Sequence, residues 1–318
     1  MTPRLRFPVR GVVYVALAAG VVIAALAARA PAQQDFSKVR IRAQSVGDSL
    51  WVLFGAGGNI GVCAGSDGVL LIDDQFADLS ARIRASVDSV SGGRPIRWIL
   101  NTHWHGDHTG GNANFAALGV TIVAHDNVRA RMEREQIIPT LKDTIPASPH
   151  AALPLVTFPE SLTFHVNGQT LTCFHVNNAH TDGDVIVRFA PQDVIHMGDT
   201  FFNGFYPFID VASGGSVDGM IAADDRALGL IGPGTRVIPG HGPLGDRASL
   251  VAFRDMLVAA RAAVLAHVRQ HETLDQVKAA KPLAALDAKW QGAIKSDRFV
   301  EMLYDDLSRT PAQHAARR

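Results

Sequence analysis

The segment "NTHWHGDHTGGN" at residues 101–112 places three histidines and one aspartate within six consecutive positions. The four side chains, His103, His105, Asp107 and His108, follow the pattern H-x-H-x-D-H. Neutral histidine rings are the commonest metal ligands in proteins, and carboxylates join them at zinc. One ion cannot easily take four ligands from so short a loop, so the pattern favours two adjacent ions. Any fold of this chain must therefore bring further ligands to this loop.

Three later positions offer such ligands, and each lies where a predicted strand gives way to a loop. His180 follows the strand "TLTCFHV", Asp199 ends the strand "DVIHMGD", and His241 follows the strand "TRVIPG". Binding and catalytic residues concentrate in loops that a rigid scaffold positions. The sequence therefore predicts one composite metal site built from separate segments of the chain.

The order of predicted elements indicates the fold class. Strands followed by a helix occur twice, once in each half of the chain. This pattern predicts an α/β fold in which two mixed sheets face each other with helices outside, a four-layer αββα sandwich. We expect a single domain over residues 33–318, with a core at about residues 47–245 and a helical tail at residues 247–308.

The cluster, followed by a distant His, Asp and His in this order, resembles the metallo-β-lactamase superfamily over roughly residues 47–245. The resemblance implies a dinuclear zinc centre, with iron or manganese as alternative metals. The implied ligands are His103, His105 and His180 for one ion, Asp107, His108 and His241 for the second, and Asp199 as the bridge. Asp73, in "LLIDD", corresponds to a residue that supports the cluster loop without binding metal.

The resemblance also implies a reaction. Zinc makes hydroxide available from water near neutral pH, and Asp107 would orient that hydroxide as the catalytic carboxylate. The expected substrate is a small molecule with a carbonyl-type group: a β-lactam, lactone, ester or thioester. An aspartate at the position of Asp199 is typical of glyoxalase II-like and lactonase-like members, whereas true zinc β-lactamases usually carry Cys or Ser there.

Two other activities of the same fold remain open at this point. One is a phosphodiesterase, and the other is a protein similar to the mononuclear-iron persulfide dioxygenases. The net charge of zero and the lack of a basic patch argue against a nucleic-acid substrate. The oligomeric state does not follow from the sequence.

The first 32 residues differ from the rest of the chain. Three arginines, Arg4, Arg6 and Arg10, precede an apolar run at residues 11–28 and an A-x-A sequence at residues 30–32. This layout is typical of a cleaved signal peptide and predicts a periplasmic or secreted protein. An uncleaved leader is the alternative, because 18 apolar residues nearly span a bilayer, and it would be the only membrane contact.

Several loops are candidates for substrate contact. The segment "FFNGFYPFID" (201–210) follows Asp199, and its Asn203 and Tyr206 are predicted to face the substrate. The glycine-rich tip at residues 57–59 is predicted to be a flap, because flexible loops often gate active sites. The stretch 136–153 reads as an irregular lid or surface loop.

The remaining chemically distinctive residues have structural interpretations. Cys63 and Cys173 could pair after export, but both lie in apolar runs and are predicted to be small buried side chains. His196 is predicted to be structural because it precedes Asp199 by three positions. Four other histidines have no motif partners: His125, His150, His165 and His175. Three histidines in the C-terminal helical part are expected to be solvated: His267, His271 and His314.

Overall fold

The computed structural model describes residues 34–309, and the compact unit of the chain begins at Phe36. The strands are β1 (Arg42–Gly47), β2 (Leu50–Phe54), β3 (Ile60–Gly65), β4 (Gly68–Ile72), β5 (Ile96–Leu100), β6 (Thr121–His125), β7 (Gln136–Ile138), β8 (Asp143–Ile145), β9 (Val156–Phe158), β10 (Ser161–Val166), β11 (Gln169–His175), β12 (Val185–Phe189), β13 (Val194–His196), β14 (Arg236–Ile238) and β15 (Gly245–Asp246). The α-helices are α1 (Ser80–Ser91), α2 (Gly106–Thr109), α3 (Asn112–Ala116), α4 (Asp126–Met132), α5 (Val217–Leu228), α6 (Arg247–Arg269), α7 (Leu274–Ala280), α8 (Ala284–Asp287) and α9 (Ser296–Leu307).

Two large mixed sheets form the centre of the molecule. The first has the order β1-β2-β3-β4-β5-β6-β9, antiparallel up to β4 and parallel from β4 to β9. The second has the order β10-β11-β12-β13-β14-β15, in which only β13 and β14 are parallel. The predicted pair of mixed sheets is therefore confirmed.

The alternation of side chains along each strand separates the layers. In β4 every residue is buried, as expected for a strand that is covered on both faces. Leu70 and Ile72 point into a core that also contains Val185 and Val187 of β12 in the second sheet. Val69 and Leu71 point the other way and pack with α1. The core between the sheets and the helices outside them give the predicted αββα sandwich.

The outer layer of the second sheet contains α5 together with the helices of the predicted tail. Helices α5, α6 and α9 bury their apolar faces in one cluster with strands β13 and β14. Phe253 of α6 and Phe299 of α9 are fully buried there. Asp246 and Ser249 form a capping box that begins α6. The tail is thus packed on the sandwich rather than separate from it.

The stretch 136–153 differs from its prediction as an irregular loop. Strands β7 and β8 pair as an antiparallel hairpin, which was not predicted from the sequence. Ile138 and Ile145 of the hairpin pack with Trp104 and Met132, and this apolar contact favours the ordered form. Arg298 of α9 also donates a hydrogen bond to the carbonyl of Thr140 near the hairpin tip.

Two expectations about the ends of the chain fall outside what the structure describes. The predicted signal peptide at residues 1–32 lies among the residues that are not described, as does His314. Within residues 34–309, no helix combines the length and the apolar character that crossing a bilayer requires.

Both cysteines are buried free thiols in the core between the sheets. Burial raises the pKa of the Cys63 thiol to about 11, and it raises the pKa of the Cys173 thiol further. We expect Ellman's reagent to find no reactive thiol in the folded protein and two in guanidinium chloride, because only unfolding exposes them. A protein that shows no thiol in either condition would instead contain a disulfide.

Candidate metal centre

All seven predicted metal ligands come together at one edge of the sandwich. They form two groups, and within each group the potential ligand atoms lie within 4.8 Å of one another. The first group consists of His103, His105, His180 and Asp199, and the second of Asp107, His108 and His241. Each member follows a strand end in one of the two sheets, so the site lies at the seam between the sheets.

The three histidines of the first group point ring nitrogens at a common centre. The Nδ1 atom of His105 lies 3.1 Å from Nε2 of His103 and 2.8 Å from Nε2 of His180. All three side chains are buried. This convergence is the geometry that a tetrahedral metal site needs from three protein ligands.

Hydrogen bonds outside this group determine which nitrogen of each ring carries the proton. Nε2 of His105 donates to the Asp210 carboxylate at 3.0 Å, and Nδ1 of His180 donates to the Phe208 carbonyl at 2.7 Å. Nδ1 of His103 donates to Thr102 Oγ1 at 3.0 Å, because that hydroxyl gives its own proton to Asp73. The three nitrogens that face the centre therefore present lone pairs.

Lone pairs at 2.8–3.1 Å repel each other unless a cation lies between them. Burial lowers the pKa of His103, and burial lowers the pKa of His180 to about 4, so both rings are neutral near pH 7. Neutral imidazole is the form that binds metal. The residues of the first group therefore fit a divalent metal ion.

The second group contains two histidines and a carboxylate. Nε2 of His241 lies 3.3 Å from both Nε2 of His108 and Oδ2 of Asp107. Nδ1 of His108 donates to Asp73 at 2.8 Å, which leaves its Nε2 free for a ligand. These atoms also form a possible three-ligand metal site.

The carboxylate of Asp199 lies between the two groups. Its Oδ1 is 3.1 Å from Nε2 of His108, and its Oδ2 is 3.3 Å from Nε2 of His241 and 3.5 Å from Nε2 of His180. Oδ1 is buried, with the His108 ring nitrogen as a close neighbour. A bridging ligand would occupy this position, and a buried carboxylate that faces ring nitrogens of both groups is suited to a cation.

The charges of the second group depend on these carboxylates. Burial lowers the pKa of His241, but Asp199 and Asp107 outweigh it and raise that pKa to about 10. Burial opposes ionisation of Asp199, whereas His241 and His108 hold the pKa of this carboxyl well below its usual range. Protons on the histidines thus balance the carboxylates, and a divalent cation would serve the same purpose.

Asp73 supports the cluster loop, as its predicted role requires. Its carboxylate is fully buried and accepts the backbone N–H of Thr102 at 2.7 Å, the Thr102 hydroxyl at 2.8 Å and Nδ1 of His108 at 2.8 Å. Asp73 has a φ of 66°, a left-handed conformation that is uncommon for residues other than glycine. Such local strain is typical of functional sites.

The outer partners of the histidines were not predicted from the sequence. Asp210, which orients His105, is the last residue of the segment 201–210. The only signal was an acidic residue at the end of an aromatic loop next to a predicted ligand. Phe208, whose carbonyl is the partner of His180, was not predicted either. Its ring lies 5.9 Å from the rings of both His105 and His180.

The two predicted substrate residues make contacts within the protein. The amide of Asn203 donates to the Pro243 carbonyl at 2.9 Å. Tyr206 is only 1% exposed, and its hydroxyl donates to Asp287 of α8 at 2.9 Å. A role for either side chain in substrate binding stays a prediction. Another aromatic ring of this segment, that of Phe202, stacks on the candidate ligand His241 with ring centroids 5.2 Å apart.

The glycine-rich tip between β2 and β3 is docked on the ligand loops, not free as a flap would be. The backbone N–H of Gly58 donates to the Asp107 carbonyl at 3.1 Å. The backbone N–H of Asn59 donates to the Gly240 carbonyl at 2.7 Å. A Cβ atom on Gly58 would lie 2.1 Å from the His108 ring, so only glycine allows this close approach.

Comparison with known proteins agrees with this geometry. A family profile described as the metallo-beta-lactamase superfamily matches residues 54–264. The chain belongs to the metallo-beta-lactamase superfamily.

Two curated proteins illustrate the relationship. A hydroxyacylglutathione hydrolase from Polaromonas sp. (strain JS666 / ATCC BAA-500) is 29% identical over 181 residues, which are 57% of this chain and 61% of that protein. A metallo-beta-lactamase type 2 from Bacteroides fragilis is 22% identical over 150 residues, 47% of this chain and 55% of that protein. The matches thus cover less than two thirds of these relatives.

A solved structure shows the same fold. A metallo-beta-lactamase from Pontibacter korlensis superimposes with a TM-score of 0.57 at 19% sequence identity. The superposition covers 69% of this chain and 99% of that chain. At this identity the superposition shows that the superfamily fold is shared, and it carries no information about substrate.

Histidines outside the two groups have structural contacts. Nε2 of His196 donates to the Asn59 carbonyl at 3.1 Å, and its Nδ1 accepts the Gly198 N–H, so its predicted structural role is confirmed. His125 and His175 stack on each other with ring centroids 3.8 Å apart. His267 in the tail contacts Glu272, so it is not simply solvated.

Substitution of Asp210 by asparagine tests the orientation of His105. Asp210 Oδ1 accepts the Ser213 N–H at 3.0 Å, so an asparagine there would keep its oxygen on Ser213 and turn its amide nitrogen toward His105. The His105 proton would then move to Nδ1 and block the ligand lone pair. We expect Asp210→Asn to bind metal about 10–100-fold more weakly, measured by titration with a chelator.

Two controls separate the effect on His105 from a general loss of stability. Asp210→Asn should melt within a few degrees of the native protein when both are metal-free, because the contact with Ser213 survives. Ser213→Ala alters the same turn without facing His105 and should retain normal metal affinity. Equal metal affinity in Asp210→Asn and the native protein would show that the carboxylate does not determine the His105 proton position.

Proposed function

We propose that the protein is an exported hydrolase with a dinuclear zinc centre that cleaves a small carbonyl-type substrate. The observation that carries the proposal is the arrangement of six candidate ligands in two sets of three, with the Asp199 carboxylate between the sets. His103, His105 and His180 would hold one ion, and Asp107, His108 and His241 would hold the other. Export rests on the leader-like sequence of residues 1–32.

When bound, two divalent cations would supply Lewis acidity that makes water a nucleophile near neutral pH and polarises the group under attack. The protein determines where a substrate can approach. The side chains of Asp107 and His241 are 26% and 23% exposed, whereas His108 and His180 are completely buried. The site therefore opens to solvent on the side of Asp107 and His241.

Asp107 is placed to orient the attacking water. Burial opposes its ionisation, but His108 and His241 lower the pKa of Asp107 well below its usual range, so it is a carboxylate at neutral pH. A carboxylate at the open side accepts a hydrogen bond from water and directs its lone pair toward the substrate. The Phe202 ring, stacked on His241, gives this opening an apolar border.

The substrate class is the finer part of the proposal. An aspartate at position 199 favours ester-, lactone- or thioester-type substrates over β-lactams, because related β-lactamases carry Cys or Ser there. The curated relative named hydroxyacylglutathione hydrolase supports acyl-transfer chemistry to water. Because another curated relative is named metallo-beta-lactamase, β-lactams are also tested as substrates.

The first experiment measures hydrolysis by zinc-loaded protein that lacks residues 1–32. We expect metal-dependent cleavage of at least one substrate among a chromogenic cephalosporin, a lactone, p-nitrophenyl esters and acyl thioesters. His103→Ala and His241→Ala should abolish this activity and lower the bound metal, because each removes a ligand. His165→Ala, an exposed histidine outside both groups, is the matched control and should remain active.

Two outcomes would contradict the proposed function. Full activity and full metal content in a double variant, His103→Ala with His241→Ala, would show that the site is wrongly assigned. Cleavage of bis-p-nitrophenyl phosphate in the absence of any carbonyl hydrolysis would replace the proposed substrate class with phosphodiesters.

The bridging role of Asp199 has a separate test. We expect Asp199→Ser to retain one zinc ion and to bind the second at least about 10–100-fold more weakly, because a hydroxyl cannot span two ions as a carboxylate does. Metal content after equilibrium dialysis at graded zinc concentrations measures the effect. Two equally tight ions in this variant would argue that Asp199 does not bridge.

A further inference from the structure

The ring of His241 is held differently from the rings of the other candidate ligands. Four of the five histidines have an outer partner for the second ring nitrogen: Thr102 for His103, Asp210 for His105, Asp73 for His108 and the Phe208 carbonyl for His180. Within residues 34–309, Nδ1 of His241 has no such partner. Besides the stacked Phe202 ring, the position of His241 therefore depends on contacts of the loop that carries it.

The loop that carries His241 is bound on both sides by one residue, Asn59. The Asn59 side-chain amide donates to the Pro239 carbonyl and to the Gly242 carbonyl, both at 2.9 Å. Its backbone N–H donates to the Gly240 carbonyl at 2.7 Å. Three hydrogen bonds from one residue thus bracket His241 in sequence.

Asn59 is itself rigidly held. It is only 4% exposed, and its carbonyl accepts Nε2–H of His196 at 3.1 Å. Its neighbour Gly58 donates to Asp107, and the Gly58 carbonyl accepts the side-chain amide of Gln75 at 2.5 Å. The bracket therefore rests on both sheets, because His196 belongs to β13 and Asn59 precedes β3.

The loop has little room to move without disturbing the metal ligands. A Cβ atom on Gly240 would lie 2.0 Å from Oδ1 of Asp199, so the backbone of the loop touches the proposed bridge. The backbone N–H of Asn203 donates to the His241 carbonyl at 3.0 Å and limits the loop on its other side. A shift of this loop would displace His241 and at the same time press the backbone at Gly240 against Asp199.

We propose that Asn59 is a positioning residue for His241 and that it selectively maintains the metal ion held by Asp107, His108 and His241. This inference rests on the proposed function. An asparagine is required because two carbonyl acceptors need two N–H donors on one short side chain. The isosteric aspartate has no donor and would place negative charge against both carbonyls.

A second asparagine provides a matched control for a merely structural role. The Asn167 side-chain amide donates to the Cys63 carbonyl at 3.3 Å and to the Gly68 carbonyl at 2.9 Å. It likewise joins the two sheets through two carbonyls, in the turn between β10 and β11. None of its contacts involves a metal ligand, so Asn167→Asp should weaken the fold without affecting the metal centre.

The experiment titrates three metal-free proteins with Co²⁺: the native protein, Asn59→Asp and Asn167→Asp. Calorimetry and visible absorption monitor the binding. We expect the native protein and Asn167→Asp to bind two ions. Asn59→Asp should bind the first ion normally and the second about 10–100-fold more weakly, the range that loss of an outer support produces. Its absorption per bound cobalt at two equivalents should also differ from that of the native protein.

A metal-free measurement separates positioning from binding. Hydrogen exchange of the metal-free proteins should be faster at the backbone amides of residues 240–242 in Asn59→Asp and unchanged there in Asn167→Asp. If Asn59→Asp does not fold, Asn59→Ser supplies the same comparison, because serine offers only one donor on a shorter side chain.

Each outcome bears on the proposal. Two ions bound with native affinity by Asn59→Asp would overturn the positioning role and leave the proposed function intact. An equal loss of the second ion in Asn167→Asp would also overturn it, because the loss would then follow from general destabilisation. A native protein that binds no cobalt would overturn the proposed function together with this inference.

Discussion

The buried carboxylate of Asp73 is the interaction on which the metal centre depends. It lies directly after β4 and accepts three hydrogen bonds from the loop that follows β5. One of these bonds orients His108 in the second group of ligands, and another acts through Thr102 to orient His103 in the first. A single carboxylate at a strand end thereby determines which ring nitrogen carries the proton in one histidine of each group, His103 and His108. The parallel pairing of β4 with β5 makes this possible, because it brings both strand ends to the same edge.

Bringing so many ionisable groups into the interior has an electrostatic cost that only a cation can offset fully. Desolvation disfavours the charge of Asp199, and the surrounding histidines stabilise it by holding protons of their own. In the first group the outer partners keep lone pairs pointed at one another. A bound divalent cation would relieve both arrangements, with release of protons from the second group. This repulsion in the metal-free site would favour metal uptake.

The convergence of the candidate ligands could be predicted from the sequence because four of them lie within six positions and the others follow strands. The sandwich followed from the repeated order of strands and helices. The supports could not be predicted in the same way. The contact of His105 with Asp210 joins residues 105 positions apart, and that of Asn59 with Gly242 joins residues 183 positions apart. Nothing local marks such pairs, and the contact of the Tyr206 hydroxyl with Asp287 of α8 likewise joins residues 81 positions apart.

These long-range supports imply that the affinity of the candidate metal centre depends on the alignment of the two sheets. Asp73 and the cluster loop belong to the first sheet, whereas Asp199 and His241 follow strands of the second. The apolar core between the sheets, which includes Cys63 and Cys173, sets their separation. Metal that binds only the aligned sheets must stabilise that alignment by mass action. A substitution deep in this core would therefore weaken metal affinity without touching a ligand, because it changes the energy of the one arrangement in which both groups of ligands are complete.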